Sequence, residues 1–381
     1  MKVYLDNAAT TAIDKAVVAE ILPYLEEHFG NPSSTHAHGR VIKAAIEKCR
    51  KNVAEMLGAS PAEIFFTSGG TESDNTALRC LARTHQINHA ISSPLEHHAV
   101  LHTLQHMHQH GEIQLHLLQP DANGNLSMQE LEKLLQQYPG ALVSLMHGNN
   151  EIGNLLDLTQ TGELCEKYGA WFHSDTVQTI GHFPVDLSSL KVHSIAASAH
   201  KFHGPKGTGL LYLKKGCRPD PFITGGGQER EMRGGTENIY GIIGMAKALE
   251  LSVSGMEQHA RHIRMLKQRM IDKLKGLVPG ISFNGRSAEM ENSLYTVLNT
   301  SLPESEKNSL LLFHLDLKGI SASGGSACSS GAATGSHVIQ ALGTNSGRAV
   351  VRFSFSKFNT AEQIDYAVEK LAEIYTGTVK A

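Results

Sequence analysis

Short apolar runs alternate with stretches of helical spacing over the first two thirds of the chain. The short runs predict buried strands, and apolar residues at every third or fourth position predict helices between them. Strands are predicted at 63–67, 90–92, 113–118, 141–146, 170–175, 195–197 and 209–213, and helices at 15–29, 38–57, 68–83, 97–108, 127–138 and 158–168. Such alternation predicts an α/β fold with a mostly parallel sheet covered on both faces.

A second unit follows this alternating part. A long helical pattern from about 238 to 274 leads to predicted strands near 293–298 and 350–354, and a closing helix is predicted over 360–375. Because 381 residues can bury more than one hydrophobic core, we expect two subdomains.

The composition narrows the class of protein. Apolar residues make up 41% and charged residues 19% of the chain, which is ordinary for a soluble globular protein. The 34 basic side chains nearly balance the 37 acidic ones, which disfavours nucleic acid and anionic membranes as partners. The first residues enter a strand-like run without a charged and then apolar leader, so we expect a cytoplasmic protein.

Lys201 stands at the mouth of a predicted pair of buried strands. It follows the run 195–197 and precedes a Gly/Pro turn and the run 209–213. Partial desolvation favours the neutral amine of a lysine, which can form a Schiff base with a carbonyl compound. A surface lysine in a hairpin is the ordinary alternative.

Three other polar residues also fall just after predicted strands: His97, Asn150 and Asp175. Ligands of a mostly parallel sheet bind beyond the carboxyl ends of its strands, so one crevice could gather these side chains with Lys201. Taken singly, Asp175 is also explained as a turn residue and His97 as the start of a helix.

Two glycine-containing stretches are suited to anions. At 68–73 a glycine turn with hydroxyl side chains joins a strand to a helix, and free backbone N–H groups there favour a phosphate. Ordinary helix capping uses the same residue types, and the absence of a Walker or G-x-G-x-x-G pattern argues against a nucleotide. The loop 225–235 contains Arg230 and Arg233 and is either a second anion contact or a flexible connection.

Cysteine and histidine patterns carry less information. The five cysteines have no C-x-x-C spacing, which argues against a disulfide framework and a structural zinc site. His98, His102 and His106 share one helix face, as in a metal site or a solvated polar stripe. Cys328 lies in the Gly/Ser/Ala-rich stretch 321–335, where we expect an exposed thiol.

Taken together, the motifs resemble those of the pyridoxal 5'-phosphate (PLP) dependent cysteine desulfurases of the class V aminotransferase family, in the group with the longer catalytic-cysteine loop. The resemblance covers essentially the whole chain. It is carried by YLDNAATT at 4–11, TSGGTES at 67–73, EH at 96–97, NNEIG at 149–153, HSDTVQ at 173–178, SAHK at 198–201, RGGT at 233–236 and GSAC at 325–328.

The resemblance implies the fold type I of PLP-dependent transferases. The large PLP-binding domain would span 15–255 and contain the mostly parallel sheet. Residues 1–14 and 256–381 would form the smaller α+β domain, which carries the catalytic-cysteine loop.

The resemblance also implies the roles of the residues around the cofactor. Lys201 matches the lysine that holds PLP, and Asp175 matches the carboxylate that pairs with the pyridinium nitrogen. His97 would stack on the ring and serve in proton transfer, and Gln178 would bind the phenolic oxygen. The other implied cofactor contacts are Gly70, Thr71, Asn150, Ser198, His200 and, from the neighbouring subunit of a homodimer, Thr236.

The implied reaction converts L-cysteine to L-alanine. Asn150 and Arg352 match the pair that binds the substrate carboxylate, and Cys328 matches the nucleophile that takes the sulfur as a persulfide. The sulfur would pass to an acceptor in iron–sulfur cluster assembly or tRNA thiolation, which the sequence does not name.

The sequence departs from the family's pattern at two places. The segment 331–337 is richer in Gly and Ala than the family's acidic-proline version, although the loop keeps the longer form. The segment after Arg352 is shorter than the tail with which housekeeping members dock an iron–sulfur scaffold, which puts scaffold docking in doubt.

The alternative functions are those of a selenocysteine lyase, a class V aminotransferase and a non-catalytic metal-binding protein that uses the histidines and Cys328.

Overall fold

The computed structural model describes residues 1–217, 219–324, 335–343 and 347–376. The described strands, in chain order, are β1 (Val3–Tyr4), β2 (Ile64–Thr67), β3 (His89–Ser92), β4 (Gln114–Leu117), β5 (Leu142–Ser144), β6 (Trp171–Asp175), β7 (Ser194–Ser198), β8 (Gly209–Leu213), β9 (Ser282–Phe283), β10 (Val297–Leu302), β11 (Ile320–Ser321) and β12 (Ala349–Ser354). The described α-helices are α1 (Lys15–Glu26), α2 (Ala37–Met56), α3 (Gly70–Thr84), α4 (His98–Gln109), α5 (Met128–Gln137), α6 (Leu158–Lys167), α7 (Ile239–Ser254), α8 (Met256–Leu277), α9 (Leu311–Leu317), α10 (His337–Ala341) and α11 (Ala361–Thr376).

The central sheet has seven strands in the order β2-β8-β7-β6-β5-β3-β4. Strands β4, β3, β5, β6 and β7 run parallel to one another, and β8 runs antiparallel to both of its neighbours. The predicted α/β class and the mostly parallel sheet are therefore confirmed. Strand β8 is antiparallel because the turn that leads from β7 returns the chain at once, without a crossover helix.

Apolar layers cover both faces of this sheet, since neighbouring residues of a buried strand point to opposite faces. Val143 of β5 and Phe172 of β6 face a cluster that includes side chains of α1, α2, α5, α6 and α7. Their neighbours Leu142 and Trp171 face the cluster formed with α3 and α4. The two layers leave the carboxyl ends of the parallel strands open at one edge.

A separate apolar cluster lies beyond this sheet. Strand β10 pairs antiparallel with β12 and β9, and β1 pairs parallel with β11. Helices α8 and α11 pack against each other and against β10 and β12 through Leu266, Phe353 and Val368. This cluster brings the N-terminal segment and β12 to the same place.

Two predicted elements need correction. The helical pattern over 238–274 is two helices, because Gly255 has a non-helical backbone (φ −98°, ψ 4°) and separates α7 from α8. The strand expected near 293–298 begins only at Val297. Residues before it bond elsewhere, since Leu294 N donates to Gly153 O at 2.7 Å.

The strand-like run expected at the N-terminus contains β1. Strands β9 and β11 and the short helices α9 and α10 were not predicted, because elements so short carry no clear period. Among the described helices, none has both the length and the apolar character needed to cross a membrane.

Candidate active site

A cleft of about 230 Å³ opens at the carboxyl edge of the central sheet. The turns that follow β2, β3, β5, β6 and β7 line it, together with the N-terminal segment and β12. The predicted site residues found in its lining are Gly70, Thr71, His97, Asn150, Asp175, Gln178, Ser198, His200, Lys201 and Arg352. The structure thus brings together ten of the predicted positions, from segments far apart in sequence.

Lys201 ends a short 3₁₀-helix, Ala199–Lys201, directly after β7. Its Nζ donates to the carbonyl oxygens of Ala8 at 2.6 Å and of Ala9 at 2.9 Å. Gln178 donates to the same Ala8 oxygen at 3.1 Å. The N-terminal segment therefore orients the amine at the floor of the cleft.

Asp175 is the last residue of β6, and its carboxylate is buried. Burial raises the pKa of Asp175 to about 6, although the N–H of Val177 and the charge of Lys201 act in the opposite direction. The Val177 N–H donates to Oδ1 at 2.9 Å. A buried carboxylate of this kind gains stability when a cationic N–H reaches it.

The first turn of α3 forms another wall of the cleft. The residue before this helix, Gly69, provides no side-chain cap, so the first N–H groups of a 15-residue helix face outward from its positive end. Gly70 has no room for a Cβ, which would lie 2.7 Å from Cγ2 of Val177. The backbone at this turn is therefore open to an anion.

Two histidines border the cleft in neutral form. Burial, followed by the charge of Lys201, lowers the pKa of both His97 and His200 to about 4. His97 caps α4, where its Nδ1 accepts from Ala99 N at 3.1 Å, and His200 Nδ1 lies 3.1 Å from the Thr10 hydroxyl. At neutral pH each ring offers hydrogen bonding or stacking without charge.

Arg352 is 1% exposed and is held by two acceptors. Its Nη1 donates to Asn150 O at 3.0 Å, and its Nη2 donates to Asp6 Oδ1 at 2.9 Å. The buried Nε has no hydrogen-bond partner among the described residues. A buried donor that lacks a partner is costly, so the guanidinium is suited to binding a further acceptor in the cleft.

Sequence reasoning assigned no role to five residues of the cleft lining: Ala8, Ala9, Asp74, Met146 and Val177. Asp74 is 1% exposed, and burial raises its pKa well above the usual range; its Oδ1 lies 3.2 Å from His173 Nε2. The spacing Gly70, Ser73, Asp74, Ala77 gives the inner face of α3 and could have identified the carboxylate.

Thr236 is not among the described residues that line the cleft. Thr236 borders a smaller cavity of about 100 Å³ with Thr67 and Ser68. Cys328 lies outside the described residues. The other cysteines, Cys49, Cys80, Cys165 and Cys217, are buried free thiols, and burial raises the pKa of each to about 11 or 12.

The histidine stripe of α4 makes ring contacts. His98 lies 4.4 Å from His102 and 4.4 Å from His337 between ring centroids. Within the described ranges no group of three or more His, Cys, Asp or Glu side chains could hold a metal ion.

Comparison with known proteins decides the family. The class-V aminotransferase family matches residues 3–367. The chain belongs to this family. Cysteine desulfurase IscS of Dictyoglomus turgidum is 40% identical over 98% of this chain and 94% of the relative, and that of Methanosarcina thermophila is 41% identical over 98% and 91%.

Solved structures of this class-V family share the fold. A NifS-like protein superposes with a TM-score of 0.91 at 37% identity and covers 99% of this chain and 100% of its own. SspA, solved in complex with cysteine, has a TM-score of 0.81 at 28% identity, covering 94% and 100%. The predicted membership of the class-V family, the fold type I and the dependence on PLP are confirmed.

The cleft fits PLP on its own chemistry. It offers an uncapped helix N-terminus for a phosphate, a buried carboxylate for a protonated ring nitrogen and a lysine amine for the aldehyde. These three groups lie in one cavity, at Gly70, Asp175 and Lys201.

Proposed function

We propose that this protein is a cysteine desulfurase that converts L-cysteine to L-alanine and passes the sulfur, through a persulfide on Cys328, to an acceptor. The observation that carries the proposal is the shared cleft of Lys201, Asp175 and the buried Arg352, one group each for the aldehyde, the ring nitrogen and a carboxylate. Curated relatives named cysteine desulfurase support it.

The proposed cofactor contacts follow from the cleft. Lys201 would hold PLP, with Gly70, Thr71, Ser198 and His200 at its phosphate. Asp175, Gln178, His97 and Asn150 would contact the ring. When bound, PLP withdraws electrons from the α-carbon of an amino acid.

Arg352 and Asn150 would position the substrate. The guanidinium binds the carboxylate of cysteine through a planar pair of N–H groups, which orients the thiol and the α-proton. Two observations support this role: Nε of Arg352 has no hydrogen-bond partner in the part of the chain that the structure describes, and the side chain is only 1% exposed to competing solvent. The neutral His97 and the amine of Lys201 then accept and return protons, with Lys201 Nζ taking the α-proton.

Cys328 would take the sulfur. Its thiolate attacks the sulfur of the substrate, an S–S bond forms, and the C–S bond of the substrate breaks. The electron pair of that C–S bond stays with the substrate carbon, which is protonated and leaves as alanine. The buried thiols of the other four cysteines are poor nucleophiles, because burial raises their pKa.

A homodimer completes the proposal. The outer face of α1 exposes Val18, Leu22 and Leu25, followed by Phe29, which is 70% exposed. A contiguous apolar stripe of this kind is typical of a subunit interface. Thr236 lies outside the cleft of its own chain, which supports a contact with the phosphate in the partner subunit.

The remaining assignments are proposals of the same kind. The division into a large domain at 15–255 and a small domain at 1–14 with 256–381 agrees with the two main apolar clusters. We propose a cytoplasmic enzyme whose acceptor belongs to iron–sulfur cluster assembly or tRNA thiolation. The relatives' names do not distinguish these acceptors.

The experiment compares the wild type with Cys328→Ala in two measurements. One is the release of sulfide and alanine from L-cysteine, and the other is peptide mapping after borohydride reduction. We expect the pyridoxyl group on Lys201 in both proteins, and sulfide and alanine from L-cysteine only in the wild type. Cys165→Ala is the matched control, since that thiol is buried, and should keep the activity. Sulfide at the wild-type rate from Cys328→Ala would refute the persulfide.

The same assay distinguishes the alternatives. A selenocysteine lyase would release selenide from selenocysteine and leave L-cysteine unreacted. An aminotransferase would pass the amino group to a keto acid and would not need Cys328.

A further inference from the structure

A buried ion pair joins α2 to the glycine-rich loop that contains Arg233 and Thr236. Arg50 and Glu229 are 2% and 5% exposed. The two guanidinium Nη atoms each donate to one carboxylate oxygen of Glu229, both at 2.7 Å. This bidentate geometry is the strongest form of an arginine–carboxylate contact.

The pair also binds the edge strand of the central sheet. Arg50 Nη1 donates to Ile64 O at 2.8 Å, and Phe66 N donates to Glu229 Oε2 at 2.8 Å. The two side chains therefore connect α2, β2 and the loop at one point. Such a connection fixes where the loop starts relative to the sheet.

The loop turns here through an unfavourable backbone. Glu229, Arg230 and Glu231 have φ angles of 45°, 57° and 68°, the left-handed region that side chains other than glycine avoid. Three such residues in succession persist only where the surroundings hold them. The bidentate pair at the first of the three supplies that restraint.

The loop then reaches the first turn of α3. Arg233 donates from Nε and Nη2 to the Glu72 carboxylate at 3.1 and 3.4 Å, and Ser68 N donates to Glu72 Oε2 at 2.9 Å. Glu72 follows directly after Gly70 and Thr71, which line the cleft. The loop thus braces the helix terminus that is open to an anion.

We propose that Arg50 and Glu229 are positioning residues for the cofactor: they hold the turn 229–231, and through Arg233 and Glu72 they fix the phosphate end of the cleft. The inference rests on the proposed function only in assigning the PLP phosphate to the first turn of α3. Neither residue lines the main cleft, so neither is a catalytic residue.

The first test measures how firmly the turn is held. Glu229→Gln keeps the shape of the side chain but presents an amide N–H to Arg50, which breaks the bidentate pair. Trypsin digestion of the full-length holoenzyme should then cut after the exposed Arg230 about tenfold faster than in the wild type. An unchanged cleavage rate would overturn the proposal.

The second test measures the cofactor itself. The rate of PLP release on dilution, followed by its absorbance, should rise about tenfold in Glu229→Gln. Lys267→Met is the matched control: Lys267 is also fully buried, with bonds to Glu289 O, Ser293 Oγ and Leu294 O, but it does not contact the loop. It should lower the unfolding temperature without changing PLP release.

Faster trypsin cleavage of Glu229→Gln together with a wild-type rate of PLP release would overturn the positioning role. A rate of PLP release from Lys267→Met equal to that from Glu229→Gln would overturn it as well. Arg50→Lys, which keeps the charge and loses the fork, is used under the same criteria if Glu229→Gln does not fold. Neither readout involves cysteine, so a protein that holds PLP through this pair yet releases no sulfur would refute only the proposed function.

Discussion

Arg352 of β12 donates from Nη2 to Oδ1 of Asp6, 2.9 Å away, although 346 positions separate the two residues. Asp6 also accepts from the hydroxyl of Ser323 at 2.8 Å. The N-terminal segment thus orients both the guanidinium in the cleft and Ser323, which follows β11. The same segment holds the amine of Lys201 through Ala8 and Ala9, so one short stretch aligns both cations of the site.

Replacing Arg352 with lysine should lower kcat/KM for L-cysteine by about 100-fold, mainly through KM. A single ammonium cannot keep both the Asp6 and Asn150 contacts and bind a carboxylate in a planar fork. Arg348→Lys is the control, because Arg348 bonds Ser301 and Gly280 rather than the cleft. Steady-state kinetics of both variants test this expectation. Equal KM values for Arg352→Lys and the wild type would contradict the assignment of Arg352 to the substrate carboxylate.

Asp175→Asn should weaken PLP binding and yet stabilise the PLP-free chain. The folded state binds the proton of Asp175 more tightly than the unfolded state, since burial raises the pKa to about 6. Between about pH 4 and pH 6 the unfolded chain loses this proton first, so the wild type loses stability as the pH rises, by about 3 kcal/mol in all. The asparagine variant lacks this loss.

Denaturant unfolding of the PLP-free proteins at pH 4 and pH 7 measures the difference. Asp365→Asn serves as a control of opposite sign, because hydrogen bonds from Arg269 and Lys273 lower the pKa of Asp365 to about 2. It should destabilise the chain at pH 7. A PLP-free Asp175→Asn protein less stable than the wild type at pH 7 would refute the burial argument.

His97 should contribute no acidic limb near pH 6.5 to the activity profile. Burial and the neighbouring charges lower the pKa of His97 to about 4, so the ring is neutral throughout the working range. His97→Gln should reduce kcat by about 100-fold while the shape of the profile between pH 5 and pH 7 stays the same. A wild-type limb near pH 6.5 that vanishes in His97→Gln would show a protonated ring instead.

Leu22→Glu should convert the proposed homodimer to monomers and reduce PLP retention. A charge on the apolar stripe of α1 cannot be buried at an interface without a partner. Met265→Glu is the control, since Met265 is 60% exposed on α8, away from the stripe. Sedimentation at micromolar concentration distinguishes the two variants. A mass for Leu22→Glu equal to that of the wild type would exclude this face of α1 as the subunit interface.

The sequence predicted the elements that have a strong period, and it predicted the site through residues that follow strands. His97, Asn150, Asp175 and Lys201 do line one cleft, because the carboxyl ends of parallel strands meet at one edge. The position of Arg352 in the cleft depends on the pairing of β10 with β12, which no local pattern specifies.

Other features had no local signal. The left-handed turn at 229–231 contains no glycine, the residue that normally marks positive φ. Its contact with Arg50 comes from 179 positions away, so no local pattern predicts the turn. The periodic pattern over 238–274 predicts one long helix, because a single glycine such as Gly255 is often tolerated within a helix. Asp74 follows directly after the motif at 67–73 and received no role from it, although its helical spacing from Gly70 places it on the inner face of α3.

The most direct test is a single turnover of the holoenzyme with L-cysteine and no added reductant or acceptor. The account predicts about one alanine per PLP and one extra sulfur atom on the peptide that contains Cys328, seen by mass spectrometry. Alanine without sulfur on Cys328, or sulfur on that peptide without alanine, would contradict it.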